Sequence, residues 1–210
     1  AIYLLSLPQT PSIIAGVICG ICVVVMLPGF MIIQPNNSRV LTFFGRYAGT
    51  VISNGFYWVN PLFLKSTVTL RILNLNIDPI KVNDKVGNPI MIGAVVVWRI
   101  KDTYKASFDI SGNIREFVQI QSDAALRQVA GMYAYDTNET IDKVTLRSDE
   151  SGEITQRLED ELNSRLAIAG IEIVEARINY LAYASEIASV MLRRQQADAI
   201  ISARERIVEG

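Results

Sequence analysis

Histidine is absent from this sequence. That removes the commonest general base and the commonest metal ligand together, although chemistry built on carboxylates or lysine stays open. Charge is absent from the first 38 residues: Arg39 is the first charged residue and Asp78 the first acidic one. Cysteine occurs only as Cys19 and Cys22. C-x-x-C is elsewhere a redox or zinc half-site, but here it lies in an apolar run with no second pair to complete a zinc site. A thiol in such surroundings stays protonated and inert. Small apolar filler in a membrane helix is the first reading, and palmitoylation near the membrane edge the other. There is no G-x-x-x-x-G-K-[ST] phosphate loop, and no histidine to activate the serines; a Ser–Lys pair has no motif in its favour. A net charge of −1 over 210 residues gives no basic face of the kind nucleic acid needs. No catalytic residue, cofactor or metal is therefore expected.

Half of the residues are apolar. From Ile13 to Met26 only Ile, Ala, Gly, Val, Cys and Met occur, and the run continues through Leu27, Pro28 and Gly29 into Phe30–Ile33. At 1.5 Å per residue, Ile13–Ile33 is long enough as a helix to cross roughly 30 Å of hydrocarbon. A cleaved signal peptide is disfavoured, because no basic region precedes the run and no small-residue cleavage pattern follows it. Gly16 and Gly20 form a G-x-x-x-G spacing, which lets a neighbouring membrane helix approach closely. Ala1–Leu7 is also apolar and Pro8–Ser12 reads as a turn, so an earlier span of a membrane hairpin is expected before it. The chain opens on Ala1 rather than Met and closes inside a helical pattern, which suggests a longer polypeptide. Arg39 and Arg46 follow the span with no acid between them, which places the soluble part on the cytoplasmic side of the cell membrane.

The soluble part reads as strands first and helices afterwards. Arg39–Phe44 is a strand, Gly45–Gly49 a turn, Thr50–Ile52 a strand, and Asn54-Gly55 a turn dipeptide. Ser66–Val82 alternates along its length, with Val68, Leu70 and Ile72 on one face and Thr67, Thr69 and Arg71 on the other. Turn formers fill Asn83–Pro89, and Ile90–Lys101 returns to make a long antiparallel hairpin. Helices follow over Asp102–Phe108, Ile114–Ala130 and Glu153–Ala169. The second carries Phe117, Ile120, Gln121, Ala124, Ala125 and Val129 at helical spacing. The third carries Ile154, Leu158, Leu162 and Leu166, with Gly170 as its stop. Asp136–Asp142 is a linker, Ile171–Leu181 a strand, and a last helix begins near Ala184. The organisation expected is a membrane segment over 1–29, one α+β domain over 30–183, and the start of a long oligomerisation helix over 184–210.

Two surfaces stand out. The aromatics Phe30, Phe56, Tyr57, Trp58 and Phe63 suit a membrane interface, with ordinary core packing as the alternative. The last helix carries Ile187, Val190, Met191, Ala197, Ile200, Ile201, Ile207 and Val208, interleaved with charges such as Arg194. An apolar stripe there is buried either against further copies, as in a coiled coil, or against its own domain. The carboxylates Asp78, Asp84, Asp102, Asp109, Asp123 and Asp136 form no acid/base pair, and Asp102 reads as a helix cap. Asn36-Asn37-Ser38 and Asn138-Glu139-Thr140 match the glycosylation sequon, a pattern common by chance.

The order of several segments resembles the SPFH (band 7) superfamily of stomatins, prohibitins and flotillins. It starts with a membrane segment followed by Gly29–Gln34, Pro35, Asn36, Arg39–Gly45 and Asn54–Pro61. It continues with Lys81-Val82-Asn83-Asp84, Gly87-Asn88-Pro89-Ile90, Val95-Val96-Val97-Trp98-Arg99 and Gln121-Ser122-Asp123-Ala124-Ala125-Leu126-Arg127. It closes with Leu162–Gly170, Glu175-Ala176-Arg177-Ile178 and the helix Met191–Glu209 carrying Arg194-Gln195-Gln196-Ala197. The likeness is strongest to bacterial stomatin- and prohibitin-like proteins. It implies a non-enzymatic membrane scaffold that assembles with copies of itself into a ring or cage and organises a membrane microdomain. Its partners would be lipids and membrane-protein clients such as a protease; a dedicated regulatory subunit of one membrane protease is the alternative, and a membrane-anchored hydrolase a more remote one. The sequence carries only the first part of the expected helical wall, so copy number and closure stay open.

Overall fold

The computed structural model describes residues 9–136, 144–148 and 152–209. The expected earlier span at Ala1–Leu7, the sequon at Asn138 and most of the linker 136–142 lie outside the described residues. The chain groups into two compact units, Ala1–Arg71 and Ile72–Gly210. The class is α+β with antiparallel sheets.

In the first unit, helix α1 spans Gln9–Met26 and a single 3-10 turn follows over Leu27–Gly29. Strands β1 (Phe30–Ile33), β2 (Asn37–Phe43), β3 (Arg46–Val51), β4 (Gly55–Trp58) and β5 (Leu64–Thr69) complete it. β1 pairs with β4, and β3-β2-β5 form a second antiparallel sheet. This corrects the expected span over Ile13–Ile33. The helix stops at Met26, because Pro28 cannot donate to a continuing helix, and Phe30–Ile33 leaves as a strand. The expected turn over 45–49 is also corrected. The hairpin turns at Phe44 and Gly45 alone, with φ of 46° and 80°, and residues from Arg46 onward already pair with β2. Two left-handed residues suffice for a two-residue hairpin connection.

The long strand expected over Ser66–Val82 is two strands. β5 ends at Thr69 and pairs with β2, whereas β6 (Leu73–Asn83) starts the second unit. At the break, Leu70 N–H makes the last bond in register with β2, to Asn36 O at 2.9 Å, and Arg71 N–H turns to Thr69 Oγ1 at 3.3 Å, which ends the ladder.

In the second unit, β6 forms the expected hairpin with β7 (Pro89–Ile100), from Leu73↔Trp98 to Asn83↔Pro89, and β8 (Ile171–Tyr183) lies on the other side of β7. Central β7 is the most buried strand, with Ile90, Ile92, Ala94 and Val96 fully enclosed. Pro79 falls in an irregularity between Ile77 and Ile80, where the ladder does not need its missing N–H. Helices α2 (Thr103–Phe108), α3 (Ile114–Ala130), α4 (Glu153–Leu166) and α5 (Ser185–Glu209) complete the unit. Asp102 caps α2, accepting from Tyr104 N and Lys105 N. Past α4, Gly170 takes φ of 67°, and a Cβ on it would lie 2.6 Å from Asp102 O, so the position needs glycine twice over.

α4 buries Ile154, Leu158, Leu162 and Leu166, as the sequence predicts. The buried face of α3 keeps Ala125 and Val129 as expected but is otherwise corrected: Val118, Ser122, Leu126 and Ala130 face inward with them, and Ile120 is exposed. Asp123 sits at the margin of that face. Burial pushes its carboxyl up, Arg127 partly offsets this, and Asp78 adds to it. The folded state therefore holds the Asp123 proton at a pH where the unfolded chain has released it. Stability from this group is greatest below the ordinary carboxylate range, about pH 4, and falls as pH rises through the raised value. Asp123→Asn is expected to gain stability over the wild type as pH rises from 4 to 7. Urea titrations at pH 4, 5.5 and 7 check this, and a difference independent of pH would disprove it.

Candidate functional site

The two-stranded β1–β4 sheet has one face in the protein and one outside it. Its register is Phe30↔Trp58, Met31↔Tyr57, Ile32↔Phe56 and Ile33↔Gly55. Alternation along β1 turns Met31 and Ile33 inward, where they cluster with Leu41 and pack against Val51, Tyr57, Val59 and Phe63. The opposite side chains, Phe30, Ile32, Phe56 and Trp58, are each about half to two-thirds exposed. The Phe30 and Phe56 rings stack with centroids 5.4 Å apart. Of the five aromatics expected at an interface, three therefore share one outward apolar face. Tyr57 and Phe63 take the core-packing alternative: Tyr57 because a pleated strand sends neighbouring side chains to opposite sides, and Phe63, which precedes β5, by packing partly buried against the same cluster. Ile32 joins the outward face although the sequence reading did not single it out.

This face is tied to the end of α1. Trp58 Nε1 donates to Met26 O at 3.3 Å, Val59 N–H to Gly29 O at 2.9 Å, and the Lys65 ammonium to Pro28 O. Gly29 permits the contact, since a Cβ there would stand 2.5 Å from Trp58 Nε1. Along α1, Val17, Ile18, Ile21, Val23, Val24, Val25 and Met26 are all more than half exposed, and Cys19 and Cys22 are exposed too. Gly16 and Gly20 lie one turn apart with open space where a Cβ would be. Among the described residues no helix is long and apolar enough to cross a membrane. The stretch of α1 with described side chains, Ala15–Met26, rises about 18 Å.

Charge separates sharply between the units. Arg39, Arg46, Lys65 and Arg71 are the only charged residues up to Arg71, so the first unit has four cations and no acid. The other 16 of the 20 basic residues, and all 21 acidic ones, follow.

In the second unit, α5 leaves the sheet at Ala184, whose N–H donates to Pro89 O at 2.9 Å. Lys81 pairs with Glu186 at its start and holds that carboxyl below its usual range. Tyr183, stacked 4.0 Å from Tyr135, has its hydroxyl pushed up, chiefly by burial. Beyond this base, Val190, Arg194, Ala197, Ile200 and Ile201 are exposed, and Ile187 and Met191 are half-buried. The side chains of Ile207 and Val208 lie outside the described residues. At 3.6 residues per turn, Ile187, Val190, Arg194, Ala197 and Ile201 follow one line, with Met191 beside it, whereas Ile200 lies roughly 100° round and Leu192 opposite. The apolar residues of α5 thus surround its axis more evenly than the single stripe expected.

The SPFH domain / Band 7 family matches residues 31–210. The chain belongs to this family. Its members are in general membrane-associated, scaffold-type proteins. No curated protein matches the chain. In this SPFH chain the match begins at Met31, within β1, so the outward apolar face lies at the start of the family region and α1 precedes it.

Proposed function

We propose that the chain is a subunit of a homo-oligomeric scaffold that is anchored in the cell membrane and organises a patch of bilayer together with the proteins in it. One observation carries this reading: a unit without a single acid presents the uncharged helix α1 and the face Phe30–Ile32–Phe56–Trp58, whose large apolar side chains stand about half to two-thirds exposed. Seven large side chains of α1 and four of the face stand in the open, each worth about 1.5–3 kcal/mol if fully buried. A bilayer supplies that burial without asking for a complementary protein shape. The positive first unit suits the anionic cytoplasmic leaflet, which supports the cytoplasmic side for the rest of the chain. The Gly16/Gly20 face receives the α1 of a neighbouring copy. The scaffold acts by assembly rather than catalysis, with membrane proteins, a protease among them, as clients.

Assembly rests on α5. Along its line from Ile187 to Ile201, Val190, Ala197 and Ile201 are exposed. Packing against the α5 of adjacent copies buries it, and Arg194 within the line restricts the register. Ile201→Asp places a charge in that seam. The variant is expected to leave detergent as small species where the wild type elutes as a large assembly on size exclusion. A variant assembly of unchanged size would show that α5 is not the seam.

A further inference from the structure

We propose that the groove between β1 and the β2–β5 ladder is a binding site for one anionic phospholipid, with its phosphate on Arg39 and Lys65 and an acyl chain on Phe30, Ile32 and Phe56. The inference rests on the membrane reading above. In the β2–β5 register Arg39 stands opposite Thr67 and Leu41 opposite Lys65, so all four side chains share a face of the ladder. Leu41 is covered by Met31 and Ile33 of β1. What β1 leaves open beside it is a groove of about 710 Å³ that runs to Pro28 at the end of α1. That volume falls in the range of sites for lipid- and drug-sized ligands, roughly 300–1,000 Å³.

The chemistry of the two walls differs. One wall is Phe30, Ile32 and Phe56; the other carries Arg39, Lys65 and Thr67. Arg39 is half-buried, and no carboxylate exists anywhere in its unit to pair with it. Lys65 gives one hydrogen to Pro28 O, which leaves two donors of the ammonium to share. A partly desolvated cation is stabilised by an anion that can accept hydrogen bonds, and the guanidinium fork matches phosphate oxygens. A free phosphate would leave the aromatic wall unused. A phospholipid uses both walls, and the groove opens at the end of the uncharged helix.

The test uses the full chain in neutral detergent and reads Trp58, which stands opposite Phe30. The second tryptophan, Trp98, is 2 % exposed in the other unit and gives a constant background. Brominated phosphatidylglycerol is expected to quench Trp58 at about tenfold lower lipid than brominated phosphatidylcholine. Arg39→Gln with Lys65→Gln should bring the two lipids within twofold of each other. Arg39→Gln alone, which leaves the Pro28 contact intact, should keep a preference of about threefold. Arg46→Gln with Arg71→Gln removes the same charge outside the groove and should leave the tenfold preference. Equal losses for both double variants would mean a diffuse field instead of a site, and would overturn the proposal. So would a wild type that treats the two lipids alike, or a phosphatidylglycerol signal abolished by millimolar inorganic phosphate. Absence of quenching by either lipid would overturn the membrane reading itself, a result distinct from loss of headgroup preference.

Discussion

Asp84→Ala is expected to destabilise the second unit by about 3–5 kcal/mol. Asp84 is 5 % exposed and every lone pair it offers is used. One carboxylate oxygen accepts from Val86 N at 3.0 Å and Asn88 N at 2.7 Å. The other accepts from Asn88 Nδ2 at 3.2 Å and Tyr135 N at 3.1 Å. The first three bonds close the β6–β7 turn, and the fourth ties that turn to the segment after α3, beside a Lys85 N–H to Tyr133 O bond of 3.1 Å. Alanine leaves three backbone N–H groups and an amide without their acceptor in a part-buried turn. Each hydrogen bond to a charged acceptor is worth about 1.5–3 kcal/mol, and losses within one network do not add fully. Asp84→Asn separates charge from geometry. It keeps one acceptor oxygen and sets an amide donor against a donor, so about half of the loss is expected. Urea unfolding followed on buried Trp98 measures both, and a loss below about 1 kcal/mol for the alanine variant would show that the turn holds without its carboxylate.

Asp84 also shows what a sequence hides. As one carboxylate among many between turn formers, it carries no local sign that residues near 135 reach back to it, 51 positions along the chain. Where the determinants are local, the reading succeeded. The ends of α3 agree with the expected Ile114–Ala130, since Asn113 caps the first turn through Arg115 N and Gly131 follows the last. The buried stripe of α4 agrees because its charged residues Glu159, Asp160 and Glu161 leave only one apolar line. α3 lacks that contrast. Ala125 and Val129 can be joined by Phe117, Ile120 and Ala124 as well as by Val118, Ser122 and Leu126, and packing against the sheet and α4 decides between them.

The 66–82 segment failed for a related reason. A period of two persists through Val68, Leu70 and Ile72, but alternation reports a strand and says nothing of its hydrogen-bonding partner. Only the pairings, β5 with β2 and β6 with β7, divide it. In the candidate site, uniform hydrophobicity concealed the structure. Phe30–Ile33 is apolar at every position, so neither helical nor strand periodicity is visible, and Pro28-Gly29 was the one sign that the helix ends there. Which aromatics look outward followed only from the β1–β4 register. The cationic wall was half legible: Arg39 entered as a topology signal, and Lys65 became part of it through a strand pairing that no local pattern encodes.

On the reading proposed above, anchoring by α1 predicts the largest effect. Ile18 and Ile21 are 56 % and 59 % exposed and lie three residues apart, on one side of the helix. Ile18→Asp with Ile21→Asp would bring two carboxylates into hydrocarbon at roughly 2.5–3.5 kcal/mol each near its centre. It would also forfeit two buried isoleucines at about 1.5–3 kcal/mol each. The sum is about 8–13 kcal/mol, at least a 10⁵-fold shift of the partition at about 1.4 kcal/mol per tenfold. The outward face of β1–β4 could not make that up, because on the proposed reading its four side chains would already contribute to wild-type binding and would gain nothing from the substitution. Wild-type chain should therefore stay in the membrane pellet after an alkaline carbonate wash, and the double variant should pass into the supernatant. Trp98 emission should be unchanged, since the substitutions lie outside its unit. If the double variant pelleted like the wild type with the same emission, α1 would not be the anchor. The membrane contact would then have to be carried by Phe30, Ile32, Phe56 and Trp58, as a surface laid on the bilayer rather than a helix held in it.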